Sequence, residues 1–186
     1  MNRTSAPARM RVSGSGFAPG AEISISGGTA FTQAQADATG SFQVTTAAPE
    51  LKSVGPGTLR TTLVATQQAP AEPTTAKTRV LSTNLAVALA PSSISAHQIP
   101  HRRIRFSFSG FLPGRYIYGY WLRRHVVARA RFGRAAGPCG TLTRRALLFP
   151  GGHPHHRRYE VAFESSRHYR RRAHPRVSGR LTILGL

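Results

Sequence analysis

Near the middle of the chain, Gly110-Phe111-Leu112-Pro113-Gly114 restates Gly16-Phe17-Ala18-Pro19-Gly20 from its first quarter. No other feature constrains the fold as tightly, because a repeat makes one supersecondary unit serve twice. Each copy lies between two alternating apolar runs. Met10 and Val12 precede the first, and Ile23 and Ile25 follow it; Ile104, Phe106 and Phe108 precede the second, and Tyr116, Ile117 and Tyr118 follow it. The pattern encodes a strand, a tight turn and a strand. Proline presets φ at the first corner, glycine accepts the positive φ of the second, and the phenylalanine ahead of them plugs the end of a core. Gly40-Ser41-Phe42 and Gly140-Thr141-Leu142 supply a second anchor for the same repeat.

A chain of 186 residues accommodates two such units of about 90 residues, each with a modest core. Apolar residues arrive in short bursts between glycine and proline turns, without a long helical period, so the predicted class is all-β. Over residues 1–66 the alternation predicts strands near 9–13, 22–26, 31–36, 41–46 and 58–66, with Val12, Ile23, Ile25, Phe42, Val44, Leu59 and Leu63 turned inward. Residues 67–77 contain Pro70 and Pro73 and no large apolar side chain, which predicts a linker. The second unit, 78–186, predicts strands near 85–89, 103–108, 116–122, 126–132, 141–149, 159–163 and 177–184. Val126, Ala128, Ala130 and Phe132 should face inward there. A full strand precedes the second copy of the turn, whereas only residues 1–8 precede the corresponding strand of the first. The chain is therefore expected to begin inside its first domain, with a signal peptide or further domains upstream.

The run Val12-Ser13-Gly14-Ser15-Gly16-Phe17-Ala18-Pro19-Gly20-Ala21-Glu22-Ile23, followed by Ala36-Asp37-Ala38-Thr39-Gly40-Ser41-Phe42, resembles the tandem immunoglobulin-like repeats of bacterial secreted and surface proteins, especially those of high-GC Gram-positive bacteria. The resemblance is close over residues 9–66 and looser over 85–184, where arginines, aromatics and longer loops enter. It implies two tandem immunoglobulin-like antiparallel β-sandwich domains, serving as spacer, stalk or adhesion module outside the cell or on its surface. It implies no catalysis and no cofactor.

Charge separates the halves. The formal net charge is +20, and the only lysines are Lys52 and Lys77. Residues 1–95 hold seven Lys or Arg against four acids, whereas 96–186 hold nineteen arginines against Glu160 and Glu164. A GC-rich coding sequence also produces an arginine bias. Alternation nevertheless turns Arg103, Arg105, Arg129, Arg131, Arg158 and Arg180 outward, and Arg167, Arg170, Arg171 and Arg172 follow near the end. A face of arginines attracts a polyanion. For an exported chain that means a cell-wall polymer, an acidic polysaccharide or a lipid headgroup. Nucleic acid is less favoured: Arg131-Phe132-Gly133 is only a fragment of the RNA-recognition octapeptide, and Tyr116, Tyr118, Tyr120 and Trp121 suit a sandwich core.

The inventory for catalysis is poor, with Asp37 and five glutamates. Glu160 and Glu164 should share the outer face of one strand about 13 Å apart, beyond the spacing of a carboxylate pair, and are expected to pair with arginines. No nucleophile elbow, P-loop or dinucleotide fingerprint is present. His153-Pro154-His155-His156 reads as a solvated loop rather than a metal site, since Arg157 and Arg158 repel a cation. Cys139 is the single cysteine and is expected as a small buried thiol. No apolar stretch is long enough for a membrane helix, and the start lacks the apolar segment of a secretory signal. The function expected is a non-enzymatic structural or adhesion module. The alternative is a polyanion binder acting through the second unit.

Overall fold

A computed structural model of the chain describes residues 9–51, 55–68, 73–151 and 158–183. All its strand pairings with a defined register are antiparallel. The chain divides into two compact units: Asn2–Lys52 with Leu59–Ser82, and Ser53–Thr58 with Thr83–Leu186.

The N-terminal unit comprises β1 (Arg9–Gly14), β2 (Glu22–Gly27), β3 (Ala30–Gln35), β4 (Phe42–Ala47), β5 (Thr58–Gln67) and β6 (Thr75–Thr83). β1 pairs with β4, and the remaining strands run in the order β3-β2-β5-β6. Alternation explains the burial. Ile23 and Ile25 of β2 are almost fully enclosed, and with Phe17, Ala36, Phe42 and Ala65 they form the core, flanked by Val12, Ala34 and Val44. Leu63 is buried as expected, whereas Leu59 is only half-buried.

β5 runs to Gln67, whose N–H donates to the Thr74 carbonyl at 3.0 Å, and β6 starts at Thr75 beside β5. Within the stretch 67–77, Gln67 thus ends β5 and Thr75 begins β6, and one junction between the compact units falls between Ser82 and Thr83. Polar residues on both faces of β6 hid it, since an edge strand exposed over most of its length needs no apolar alternation. The expectation of an incomplete first domain falls on residues 1–8, outside the described residues.

The C-terminal unit comprises β7 (Ala86–Ala90), a single 3-10 turn at Ala96–Gln98, then β8 (Arg103–Ser109), β9 (Tyr116–Leu122), β10 (Val126–Arg134), β11 (Leu142–Leu147), β12 (Arg158–Glu164) and β13 (Arg176–Thr182). One sheet has the order β11-β8-β7 and the other β10-β9-β12-β13. They pack face to face through aromatic rings. Phe106 and Phe108 of β8 meet Phe132 of β10 at 4.7 and 5.1 Å between centroids, and Phe163 of β12 at 6.1 and 5.4 Å. Edge-on and tilted arrangements of this kind add about 0.5–1.5 kcal/mol per pair beyond simple burial. Trp121 lies fully buried in the same core, and its Nε1 has no hydrogen-bond partner among the described residues. A register shift between Val126 and Ala128 corrects one expectation: Val126 is 37% exposed rather than inward, because the bulge releases the start of β10 from the alternation.

The two units share a plan. β1-β4 corresponds to β8-β11, and β3-β2-β5-β6 corresponds to β10-β9-β12-β13. The repeated turn is built by the same bonds in both. Phe17 N–H donates to the Gly40 carbonyl at 3.1 Å, and Phe111 N–H to that of Gly140 at 3.3 Å. Gly20 donates to Ala36 at 3.0 Å, and Gly114 to Ala135 at 2.8 Å. Asp37 donates to Ser41 at 2.7 Å, and Ala136 to Thr141 at 2.7 Å, so the second loop accommodates one extra residue. Phe17 and Phe111 are both buried, as end plugs should be. Gly40 and Gly140 each have positive φ, and a Cβ on either would overlap the carbonyl oxygen of the phenylalanine it faces.

Candidate functional site

The outward arginines of the C-terminal unit lie on two opposite faces rather than one. Arg103 and Arg105 of β8 stand on the outer face of the three-stranded sheet, across from Leu147 and Arg145 of β11. Arg129 and Arg131 stand on the outer face of the other sheet, across from Tyr120 and Tyr118. Arg158 and Arg180 share that second face through β12 and β13, across from Thr182 and Glu160. Arg170, Arg171 and Arg172 are exposed in the segment 165–175 that joins these two strands.

That segment folds back over its own sheet as a strap. Tyr169 lies 5.5 Å from Tyr120 between ring centroids, and the pair encloses Leu122 and Ala162 in a small second core. Tyr120 donates its hydroxyl hydrogen to the Ser166 carbonyl at 2.7 Å. Burial, reinforced by the nearby Glu164, pushes the Tyr120 phenol up to about 12. Arg176 anchors the far end of the strap. Its guanidinium donates to Glu160 at 2.9 Å, to the Tyr169 hydroxyl at 3.0 Å and to the Arg171 carbonyl at 2.6 Å.

The two glutamates of β12 part company under the strap. Glu160 pairs with an arginine, as the sequence predicts. Glu164 does not: it is fully buried, and its Oε1 accepts the Arg170 backbone N–H at 3.0 Å. Its Oε2 and the Ser165 hydroxyl are buried without partners among the described residues. Burial raises the Glu164 carboxyl above the usual range, against the opposing pull of the Arg170 N–H and the Arg176 charge. Strand alternation places this side chain outward, but only the fold of the strap reveals that outward is covered.

Beside the strap, Tyr118, Arg129, Arg131 and Arg167 line a groove of about 400 Å³. The Arg129 guanidinium is steadied by the Arg167 carbonyl at 3.2 Å. Next to it the Cζ atoms of Arg131 and Arg134 lie 5.0 and 4.8 Å from the centre of the Tyr116 ring. A hydrogen bond from Arg134 and its charge hold the Tyr116 phenol below its ordinary value. Arg134 is missed by alternation because a second register shift, between Arg131 and Gly133, brings it alongside Tyr116. Arg145 is a further exposed cation, opposite Arg105, and Arg144 beside it in sequence masks the alternation.

The N-terminal unit has a more open polar groove of about 600 Å³, lined in part by Ser13, Ser15, Gln35, Asp37 and Gln43. Its carboxylate is already engaged. Asp37 accepts the Thr39 hydroxyl at 2.6 Å, the Thr39 N–H at 2.8 Å and the Ser41 N–H at 3.0 Å, and these bonds lower its pKa. Cys139 is buried, and its carbonyl accepts Gly110 N–H at 2.9 Å. His153, His155 and His156 lie outside the described residues. Among the described residues, no three His, Cys, Asp or Glu side chains gather as metal ligands, and no helix is long and apolar enough to cross a membrane.

No protein-family model matches the sequence, and no curated protein sequence matches it. The chain is similar to a crystal structure described as a tetra-tandem repeat in the extending region of a large adhesion protein, at 13% identity and a TM-score of 0.33. That likeness covers 93% of this chain, which spans only 45% of the other chain's length. At that level it carries no argument about activity, and what is established of the molecule is an all-β chain of antiparallel sheets in which one turn is built twice.

Proposed function

We propose that the chain is a non-enzymatic structural or adhesion module, two tandem immunoglobulin-like domains belonging to an exported bacterial surface protein. The observation that carries this reading is the second copy of the Gly-Phe-x-Pro-Gly turn, closed onto its core by the same backbone bonds as the first. A unit copied together with its core plug and strand order extends a chain by repetition, as a spacer must. The arrangement of β11-β8-β7 against β10-β9-β12-β13 supports the immunoglobulin-like assignment. Three of the six acids have structural partners: Asp37 holds a turn, Glu160 an arginine and Glu164 the underside of a strap. We divide the domains near Ser82, where the compact units meet in sequence.

Stretching single molecules of the full chain from end to end tests the proposal. A mechanical module should give two separate force peaks, each releasing on the order of 300 Å of extended chain, and both should return after relaxation. Extension without force peaks would remove the basis for a load-bearing or spacer role.

A further inference from the structure

We propose that the outer face of β9 and β10 is a binding site for an extended polymer of tetrahedral oxyanions, phosphate or sulfate groups, that carries no bases. This goes beyond the structural role and does not depend on it. Arg129, Arg131 and Arg167 line one groove of about 400 Å³ with Tyr118, and Arg134 lies next to it over Tyr116. Charges gathered on this scale are within about a Debye length of one another, so they repel even at physiological salt. Among the described residues the ion pair formed is Arg176 with Glu160, and none of these four arginines is neutralised by an acid. Glu164, their nearest acid in register through Tyr118, is buried and turned to the strap's backbone. An incoming oxyanion would relieve this repulsion and accept paired N–H donors from planar guanidiniums.

The aromatics decide against bases. A single-stranded nucleic acid binder presents free ring faces on which bases stack. Here Tyr116 is engaged by two guanidiniums, and Tyr120 is buried under Tyr169. Tyr118 is half-buried beside Tyr116, 6.3 Å away between centroids. Tyr116 thus positions cations and Tyr120 is covered, so neither ring offers a stacking platform. The opposite face provides an internal control, since Arg103, Arg105 and Arg145 match in number the three arginines that line the groove and, among the described residues, have no aromatic ring beneath their guanidiniums.

Binding of the full chain to linear polyphosphate, heparin and oligo(dT) of matched charge, across a salt series, tests the site. Replacing Arg129, Arg131 and Arg167 by Gln should weaken polyphosphate or heparin binding at least about tenfold at physiological salt and reduce the logarithmic salt slope by about two to three. The same replacement at Arg103, Arg105 and Arg145 should change affinity less than about threefold. Whichever of polyphosphate and heparin binds more tightly identifies the oxyanion as phosphate or sulfate. Equal losses in both triple variants would mean that net charge alone is sensed, and tighter binding of oligo(dT) than of either polymer would mean a nucleic-acid face; each overturns the proposal. Should the groove triple fail to fold, Arg131→Gln alone, whose guanidinium holds no backbone carbonyl among the described residues, should still lose affinity, and full retention would overturn the site.

Discussion

A methyl group at Gly140 has nowhere to go, because the backbone there is left-handed and the Phe111 carbonyl occupies the space. Left-handed φ alone costs a side chain about 1–2 kcal/mol, and the overlap must be added. Gly140→Ala should therefore destabilise the C-terminal unit by more than about 2 kcal/mol, lowering its melting midpoint by roughly 4–8 °C for each kcal/mol. Gly114→Ala provides the comparison. Its φ is also positive, but a Cβ there meets nothing within 4 Å, so only the backbone cost should appear in the same calorimetric scan. Residues of this kind are legible in sequence, since a turn that recurs with its glycines and phenylalanine states its own geometry. The candidate groove is less legible. Alternation turns Arg105 and Arg129 outward alike, yet it does not tell which sheet's outer face each occupies. Arg134 reaches Tyr116 only through a bulge, and a bulge resets a two-residue period without altering composition.

At the level of elements, the strand positions follow the sequence within a residue or two wherever one face is buried, as in β2, β8 and β9. β6 shows where that signal ends. An exposed edge has no inward face to write into the sequence, although β13, its counterpart in the other unit, calls for a strand at that place. The strap escapes sequence reading for a related reason: its contacts are set by Tyr169, Arg176 and backbone carbonyls, none of which has a period. Its burial of Glu164 has a measurable consequence. A carboxyl whose pKa is raised in the folded state favours folding while protonated, so its contribution is present in acid and is lost as pH rises from the ordinary glutamate range through the raised value. Glu164→Gln keeps an acceptor for the Arg170 N–H and carries no charge. Urea midpoints of this variant should lose the decline between acid and neutral pH and exceed the parent's at neutrality. Asp37 has the opposite sign, with its pKa lowered by Thr39 and Ser41, so its contribution is present at neutral pH and fades in acid.

For the whole molecule, the division of charge between the units matters more than its sum. With nineteen arginines against two glutamates beyond residue 95, self-repulsion is concentrated in the C-terminal unit. Added salt screens exposed charges that lie within a Debye length. Calorimetry in rising sodium chloride should therefore move the transition of the C-terminal unit upward by more than that of the N-terminal unit; equal movement would count against localised strain. The C-terminal core also contains the chain's one tryptophan, Trp121, fully enclosed and flanked by Phe149 and Phe163. Indole emission selectively excited at its red edge consequently belongs to that unit alone, with tyrosine left dark. The protein carries its own optical label for one half, and a fluorescence melt read beside a calorimetric trace assigns the two transitions without a dye, a tag or a cut in the chain.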